Sequence, residues 1–295
     1  MKKHTFYIVD VFPEKKYAGN QLGVFRDARG LSDEQMQKFA KEMNYSETTF
    51  ILSEKERDGG YDVRIFTPDY ELPFAGHPTL GTAFVIQQEI IKEQVEKVVL
   101  NLKVGQIPVT FEYSGERVDI MWMKQINPTF GQTFQAEAMA PVLGLDENEI
   151  DDRCPVEEVS TGTPFMMCPL KTLEAVKRAN TNKEAYFELV KDTEAKAILV
   201  FCPETYSKEN NLNVRVFADY YGVAEDPATG SANGCLAGYL VKHRYFGKDQ
   251  IDIRVEQGYE IGRPSLLLLR AEAKGEETDV FVGGKVIMVA RGEFV

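Results

Sequence analysis

Apolar and polar positions alternate along short stretches of this chain, and runs rich in Val, Ile, Phe and Thr recur throughout its length. They predict strands at 5–11, 48–53, 61–67, 97–102, 106–113, 117–122, 156–161, 164–169, 196–202, 212–217, 251–256, 264–270 and 285–290. Turn residues such as Ser114-Gly115 and Gly283-Gly284 join several of these runs, so most of the pairing is expected to be antiparallel. Two apolar stretches, 80–86 and 235–241, follow a different pattern: neither keeps its apolar residues to one stripe. A helix that is hydrophobic nearly all round must be enclosed by other elements. Gly81, Ala83, Gly234, Ala237 and Gly238 lie in or beside these stretches. An interior Gly costs a helix about 1 kcal/mol, which close-packed walls explain, and strands are the expected walls. A peripheral helix begins at Ser32, where Gln35 completes a capping box and Leu31 can staple onto Met36. Weaker helical patterns cover 135–143 and 183–190.

The order of these elements repeats. Val63-Arg64-Ile65-Phe66 leads through Asp69 and Glu71 to Gly76-His77 and the first enclosed helix. Val214-Arg215-Val216-Phe217 leads through Asp219 and Glu225-Asp226 to Gly230-Ser231 and the second. Recurrence of a whole ordered unit at a spacing of about 150 residues points to an internal duplication. The expected fold class is therefore α+β, with two similar lobes, each a curled, mostly antiparallel sheet around a central helix. A polar, proline-marked step at Asn127-Pro128 divides them into 1–127 and 128–282, with the final strand, about 283–295, free to pack on the first lobe.

Composition narrows the function. A chain of 295 residues with 43% apolar and 27% charged residues has the make-up of a globular protein with room for two cores. A net charge of −12 opposes non-specific attraction to nucleic acid or anionic lipid, so neither is an expected partner. No run reaches the length of a membrane-spanning helix, and the start, Met1-Lys2-Lys3-His4 before the strand at Thr5, lacks the core of a signal peptide. Cys154, Cys168, Cys202 and Cys235 are scattered without metal-ligand spacing, so reduced thiols in a cytoplasmic protein are expected, with no metal.

The enclosed helices begin just after Gly76-His77 and Gly230-Ser231, and their unpaired N–H groups form anion sites. If the duplicated lobes face each other, both ends serve one cleft and one carboxylate-bearing ligand. The blander alternative is that His77 and Ser231 simply cap their helices. Nearby titratable groups are Asp69, Glu71, His77, Asp219, Glu225 and Asp226, with Glu47 opening a strand. Carboxylates beside a His and backbone donors are the groups that move a proton at carbon. The spacing by itself leaves an acid–base enzyme open.

Several segments together resemble one family: Asp10-Val11-Phe12 with Gly19-Asn20, Ser46-Glu47-Thr48-Thr49-Phe50, Arg64-Ile65-Phe66-Thr67-Pro68, Glu71-Leu72-Pro73-Phe74-Ala75-Gly76-His77-Pro78-Thr79, Glu225-Asp226-Pro227-Ala228-Thr229-Gly230-Ser231-Ala232 and Val282-Gly283-Gly284-Lys285-Val286. In order and in residue type they are similar to the PhzF-like proteins of phenazine biosynthesis. The resemblance implies a diaminopimelate-epimerase-like fold, a homodimer, and an isomerase of a dihydroanthranilate-like carboxylate that uses neither metal nor organic cofactor. It implies that Glu47 carries a proton between ring carbons, that His77, Asp226 and Ser231 hold the substrate and assist, and that Gly76, Gly230 and Asn20 contact it. Epimerases and racemases of this fold place thiols at the two helix entrances, which here read Ala75-Gly76 and Thr229-Gly230. An epimerase or dehydratase of a small amino or hydroxy acid, and an inactive carboxylate-binding protein, are the alternatives.

Overall fold

The structure, a computed structural model, describes residues 3–295; Met1 and Lys2, where the reading of the amino-terminal run began, lie outside the described residues. The chain divides into two compact units, Met1–Met123 with Gly283–Val295, and Lys124–Val282.

The first unit runs β1 (His4–Val11), β2 (Asn20–Phe25), α1 (Asp33–Met43), β3 (Glu47–Ile51), β4 (Tyr61–Phe66), β5 (Glu71–Leu72), α2 (Gly76–Val85), β6 (Lys97–Leu102), β7 (Gly105–Ser114) and β8 (Arg117–Lys124). The second runs β9 (Thr129–Phe134), α3 (Ala136–Leu143), β10 (Val156–Ser160), β11 (Pro164–Pro169), α4 (Leu173–Arg178), α5 (Lys183–Lys191), β12 (Ala197–Cys202), β13 (Leu212–Ala218), β14 (Val223–Asp226), α6 (Gly230–Lys242), β15 (Gln250–Gln257), β16 (Ser265–Lys274) and β17 (Glu277–Gly284). The last strand, β18 (Val286–Phe294), returns to pair antiparallel with β1.

The strand pairings of the two units match step by step. In the first, β18, β1 and β2 are antiparallel, β2–β3 is parallel, β3–β4 antiparallel, β4–β6 parallel and β6–β7 antiparallel, with β5 a stub on β4. In the second, β9, β10 and β11 are antiparallel, β11–β12 is parallel, β12–β13 antiparallel, β13–β15 parallel and β15–β16 antiparallel, with β14 a stub on β13. Helices occupy the crossovers that parallel pairs require.

The registers make the duplication residue-specific. Superposing Val63-Arg64-Ile65-Phe66 on Val214-Arg215-Val216-Phe217 equates Thr49, opposite Ile65, with Leu199, opposite Val216, and so equates Glu47 with Ala197. Leu72, opposite Ile65, falls on Asp226, opposite Val216. Counting on, Ala75 falls on Thr229, Gly76 on Gly230 and His77 on Ser231. Asn101, opposite Asp62, falls on Glu256, opposite Asn213, so Leu102 falls on Gln257.

Each sheet wraps one helix. All ten residues of α2 are buried, and the helix touches β1, β2, β3, β6, β7 and β18. Helix α6 is buried over most of its length against β10, β11, β15 and β16. The small residues are there for close approach: a Cβ on Gly81 would stand 2.6 Å from Leu22 Cδ2, 3.0 Å from Val11 Cγ2 and 3.1 Å from Val9 Cγ2. Overpacking of this kind outweighs the gain in helix propensity, so Gly81→Ala is expected to lower stability by about 1–2 kcal/mol in urea unfolding. A stabilised variant would show the wall to be loose.

Several features differ from expectation. Strands β2, β9 and β17, the stubs β5 and β14 and the short helix α4 were not read from the sequence, and Gly283-Gly284 ends β17 instead of forming a turn. Gly283 is small because a Cβ there would lie 2.4 Å from the Trp122 ring.

Candidate active site

In the first unit, Glu47 is the first residue of β3, and the parallel pairing of β3 with β2 sets it beside Leu22. His77 is the second residue of α2, buried among the strands that wrap the helix. Its Nε2 lies 3.4 Å from Glu47 Oε2, and its Nδ1 lies 3.3 Å from Nδ2 of buried Asn20 at the start of β2. The neutral ring carries one proton, on one or other of these two nitrogens. Burial drives the His77 pKa from 6.5 down to about 3, outweighing a Gln21 backbone contact that pulls the other way. The Glu47–His77 contact is therefore one between a carboxyl group and a neutral imidazole.

This burial has a testable consequence for stability. Below pH 6.5 the unfolded chain takes up a proton that folded His77 refuses, so its contribution is whole above that pH and is lost as pH falls towards 3. Between pH 7 and 4.5 the stability advantage of the wild type over His77→Gln should shrink by about 2–3 kcal/mol in urea unfolding. Parallel pH dependences for the two proteins would contradict the burial argument.

In the second unit, Asp226 ends β14, and Pro227-Ala228-Thr229 leads into α6, where Gly230 and Ser231 are the first two residues. The Thr229 hydroxyl donates to Asp226 Oδ2 at 2.5 Å. Fully buried Gln257, at the end of β15, donates from Nε2 to the Asp226 carbonyl at 2.8 Å and to Thr229 Oγ1 at 3.0 Å. Its Oε1 accepts from the Thr229 N–H at 3.2 Å and from Asn233 Nδ2 at 2.9 Å. Gln257 and Asn233 were not legible in the sequence as parts of this loop, because β15 arrives nearly thirty residues later and brings no motif of its own.

The capping alternative is corrected. The N-cap residues are Ala75 and Thr229, and neither makes a side-chain capping bond; His77 and Ser231 sit inside the first turns. Both helix starts thus present backbone donors without a side-chain cap, the arrangement that suits an anion.

Several acids leave the candidate proton carriers. Glu71 takes both Nε and Nη2 of Arg64 (2.7 and 2.6 Å) and Lys103 Nζ (2.6 Å). Glu225 takes Nε and Nη2 of Arg215 at 3.0 and 2.7 Å. Asp219 accepts from the Thr181 hydroxyl at 2.7 Å. The Arg–Glu clamps occupy equivalent places in the two units, each guanidinium also lying over a Phe ring, Phe66 or Phe217. They fix the stub strands that lead to the helix entrances. Cys235 is buried inside α6, and burial pushes its thiol up to about 11, so it is a core residue and no ready base. Among the described residues no His, Cys, Asp and Glu side chains gather in a way that could hold a metal ion, and no helix is long and apolar enough to cross a membrane.

Comparison with known proteins gives the same answer as the architecture. The family model described as phenazine biosynthesis-like protein matches residues 9–292. The trans-2,3-dihydro-3-hydroxyanthranilate isomerase of Pseudomonas aeruginosa is 35% identical, with 98% of each chain covered. A crystal structure of the Bacillus anthracis phenazine biosynthesis protein of the PhzF family superposes with a TM-score of 0.91 at 28% identity over the whole of both chains. A hydroxyproline epimerase from Agrobacterium vitis, 8% identical, shares the fold alone, with a TM-score of 0.65 over 100% of this chain and 91% of its own. With its paired sheets each rolled about one helix and its family match across nearly the full length, the chain belongs to the PhzC/PhzF family of phenazine biosynthesis-like proteins.

Proposed function

We propose that this protein is an isomerase that moves a proton between carbons of a small carboxylate-bearing ring, with Glu47 as the group that carries it and no cofactor. The observation that carries this reading is the Glu47–His77 contact of 3.4 Å at the uncapped start of α2. Neutral His77 stands beside Glu47 without competing with it as a base, since its protonation is suppressed at neutral pH. Ser231 and Asp226 hold the substrate and assist the proton transfer, the backbone N–H groups at Gly76 and Gly230 bind it, and Asn20 sets the His77 ring.

The duplication supports a single proton carrier. Ala197 stands where the second unit would need a copy of Glu47, and the helix entrances carry Ala75 and Thr229 in place of a thiol pair. One base that removes and returns the same proton produces a shift, whereas inversion at one carbon needs groups on both its faces. The relatives named as isomerases of trans-2,3-dihydro-3-hydroxyanthranilate make that compound the first probe. Incubated with it in D2O, the protein should give a rearranged ring that takes up deuterium at one carbon only, and only to the extent that the carried proton exchanges with solvent. Label at the α-carbon of proline-type amino acids, with no turnover of the ring, would replace this reading with epimerisation. The resemblance to the family extends the proposal to a cytoplasmic homodimer, and sedimentation velocity tests the dimer.

A further inference from the structure

The two units hold the same loop in two chemically different ways. Between the stub strand and the enclosed helix the first unit reads Glu71-Leu72-Pro73-Phe74-Ala75-Gly76, and the second Glu225-Asp226-Pro227-Ala228-Thr229-Gly230. The framework is common to both: an Arg-clamped Glu, a Pro two residues on, and a Gly at the helix start. Three positions differ in kind. Leu72, Ala75 and Leu102 in the first unit become Asp226, Thr229 and Gln257 in the second. The first unit therefore shows that this turn forms without any polar group at these places. Burying the Gln257 amide costs desolvation that three apolar residues avoid, and the cost is offset only because each of its polar atoms is bonded.

The hydrogen-bond order has one consistent direction. Gln257 Nε2 can only donate, so Thr229 Oγ1 accepts from it at 3.0 Å and has its own proton left for Asp226 Oδ2 at 2.5 Å. Gln257 Oε1 is fixed as the acceptor by the Thr229 N–H and by Asn233 Nδ2, so the amide cannot flip without losing these bonds. The Thr229 hydroxyl, which would otherwise serve as a helix cap, is committed to the carboxylate. Ser265 Oγ donates to the Pro227 carbonyl at 2.9 Å, and a Cβ on Gly258 would lie 2.5 Å from that same oxygen, so the turn is also held from below.

We infer that Gln257 and Thr229 are positioning residues that aim the Asp226 carboxylate, Gln257 by orienting the Thr229 hydroxyl and Thr229 by holding Oδ2. The inference rests on the role given to Asp226 under Proposed function, while the hydrogen-bond order stands on the geometry of one unit. Neither residue touches substrate in this account; a carboxylate released to other rotamers reacts poorly because small misplacements cost rate steeply.

The test uses Thr229→Val, Thr229→Ser, Gln257→Leu and Asp226→Asn, with trans-2,3-dihydro-3-hydroxyanthranilate turned over in D2O and crystal structures of each protein. Thr229→Val and Gln257→Leu should lower kcat by about 10- to 100-fold at little-changed KM, and Thr229→Ser should restore it. In the crystals the Asp226 carboxylate should leave its place in the Val and Leu variants and keep it in the Ser variant. A Val variant and a Leu variant that both retain the wild-type rate beside an inactive Asp226→Asn would overturn the inference. So would an Asp226 carboxylate that stays in place in both, whatever the rate. Full turnover by Asp226→Asn would instead count against the proposed role of Asp226 and leave the positioning claim to be decided by the crystals.

Discussion

Glu47→Gln should abolish turnover while the protein folds and binds normally. The substitution keeps the size and hydrogen-bonding reach of the side chain and removes only its ability to take and return a proton. Loss of a general acid–base group costs about 10²–10⁴-fold, and where the same group must act in both halves of a shift the loss falls at or beyond the upper end. Stability should change little, because glutamine keeps the volume of the side chain at this strand end and the neighbouring His77 is neutral. Rate measurements and urea unfolding on one preparation separate the two effects. A variant that turns over at the wild-type rate would remove Glu47 from the chemistry.

The largest loss of stability is expected at Arg215, which touches no part of the proposed chemistry. Its side chain is 9% exposed, and besides clamping Glu225 it donates from Nη1 to the carbonyls of Val176, Lys177 and Ala179 at 2.9, 3.2 and 2.6 Å. It thereby satisfies the last carbonyls of α4, which no residue of that helix can reach. Arg215→Met leaves Glu225 buried without its partner and should cost about 3–5 kcal/mol. Arg215→Met with Glu225→Leu should recover much of that, since the unpaired charge is then gone. The equivalent change in the first unit, Arg64→Met, should cost less, because Lys103 still holds Glu71 and the clamp is more exposed. Equal losses at Arg64 and Arg215 in urea unfolding would contradict the part assigned to burial.

Much of this architecture was legible because its signals are local. The Ser32–Gln35 capping box forms as the spacing predicts, with Ser32 Oγ accepting from Gln35 N at 3.2 Å. The enclosure of α2 and α6 followed from their unbroken apolar surface, and Glu47 opens its strand where the Thr48-Thr49-Phe50-Ile51 run begins. Strand β2 was missed because Gly23 interrupts it; the reason lies in tertiary packing, since a Cβ there would meet Met43 Cε at 2.9 Å. Edge strand β9, largely polar and exposed, carries no alternation. The acids were harder still. Glu71 and Glu225 looked like candidate proton carriers because they precede the helix entrances, yet their partners stand seven and ten residues back on a neighbouring strand. The Arg in each Val-Arg-Ile/Val-Phe run was the available signal, and only the strand register turns it into a clamp. Gln257 had no local signal at all: its importance appears when the two units are compared position by position.

The question that matters most is whether one carboxylate makes the whole transfer. It is best asked with trans-2,3-dihydro-3-hydroxyanthranilate carrying deuterium at its saturated ring carbons, turned over once in ordinary water and analysed by mass spectrometry and NMR. A single sheltered Glu47 predicts that part of the label reappears at the new position in the product. Complete washout of the migrating label into water within that first turnover would mean that separate groups take and give the proton, and that Glu47 does not carry it across.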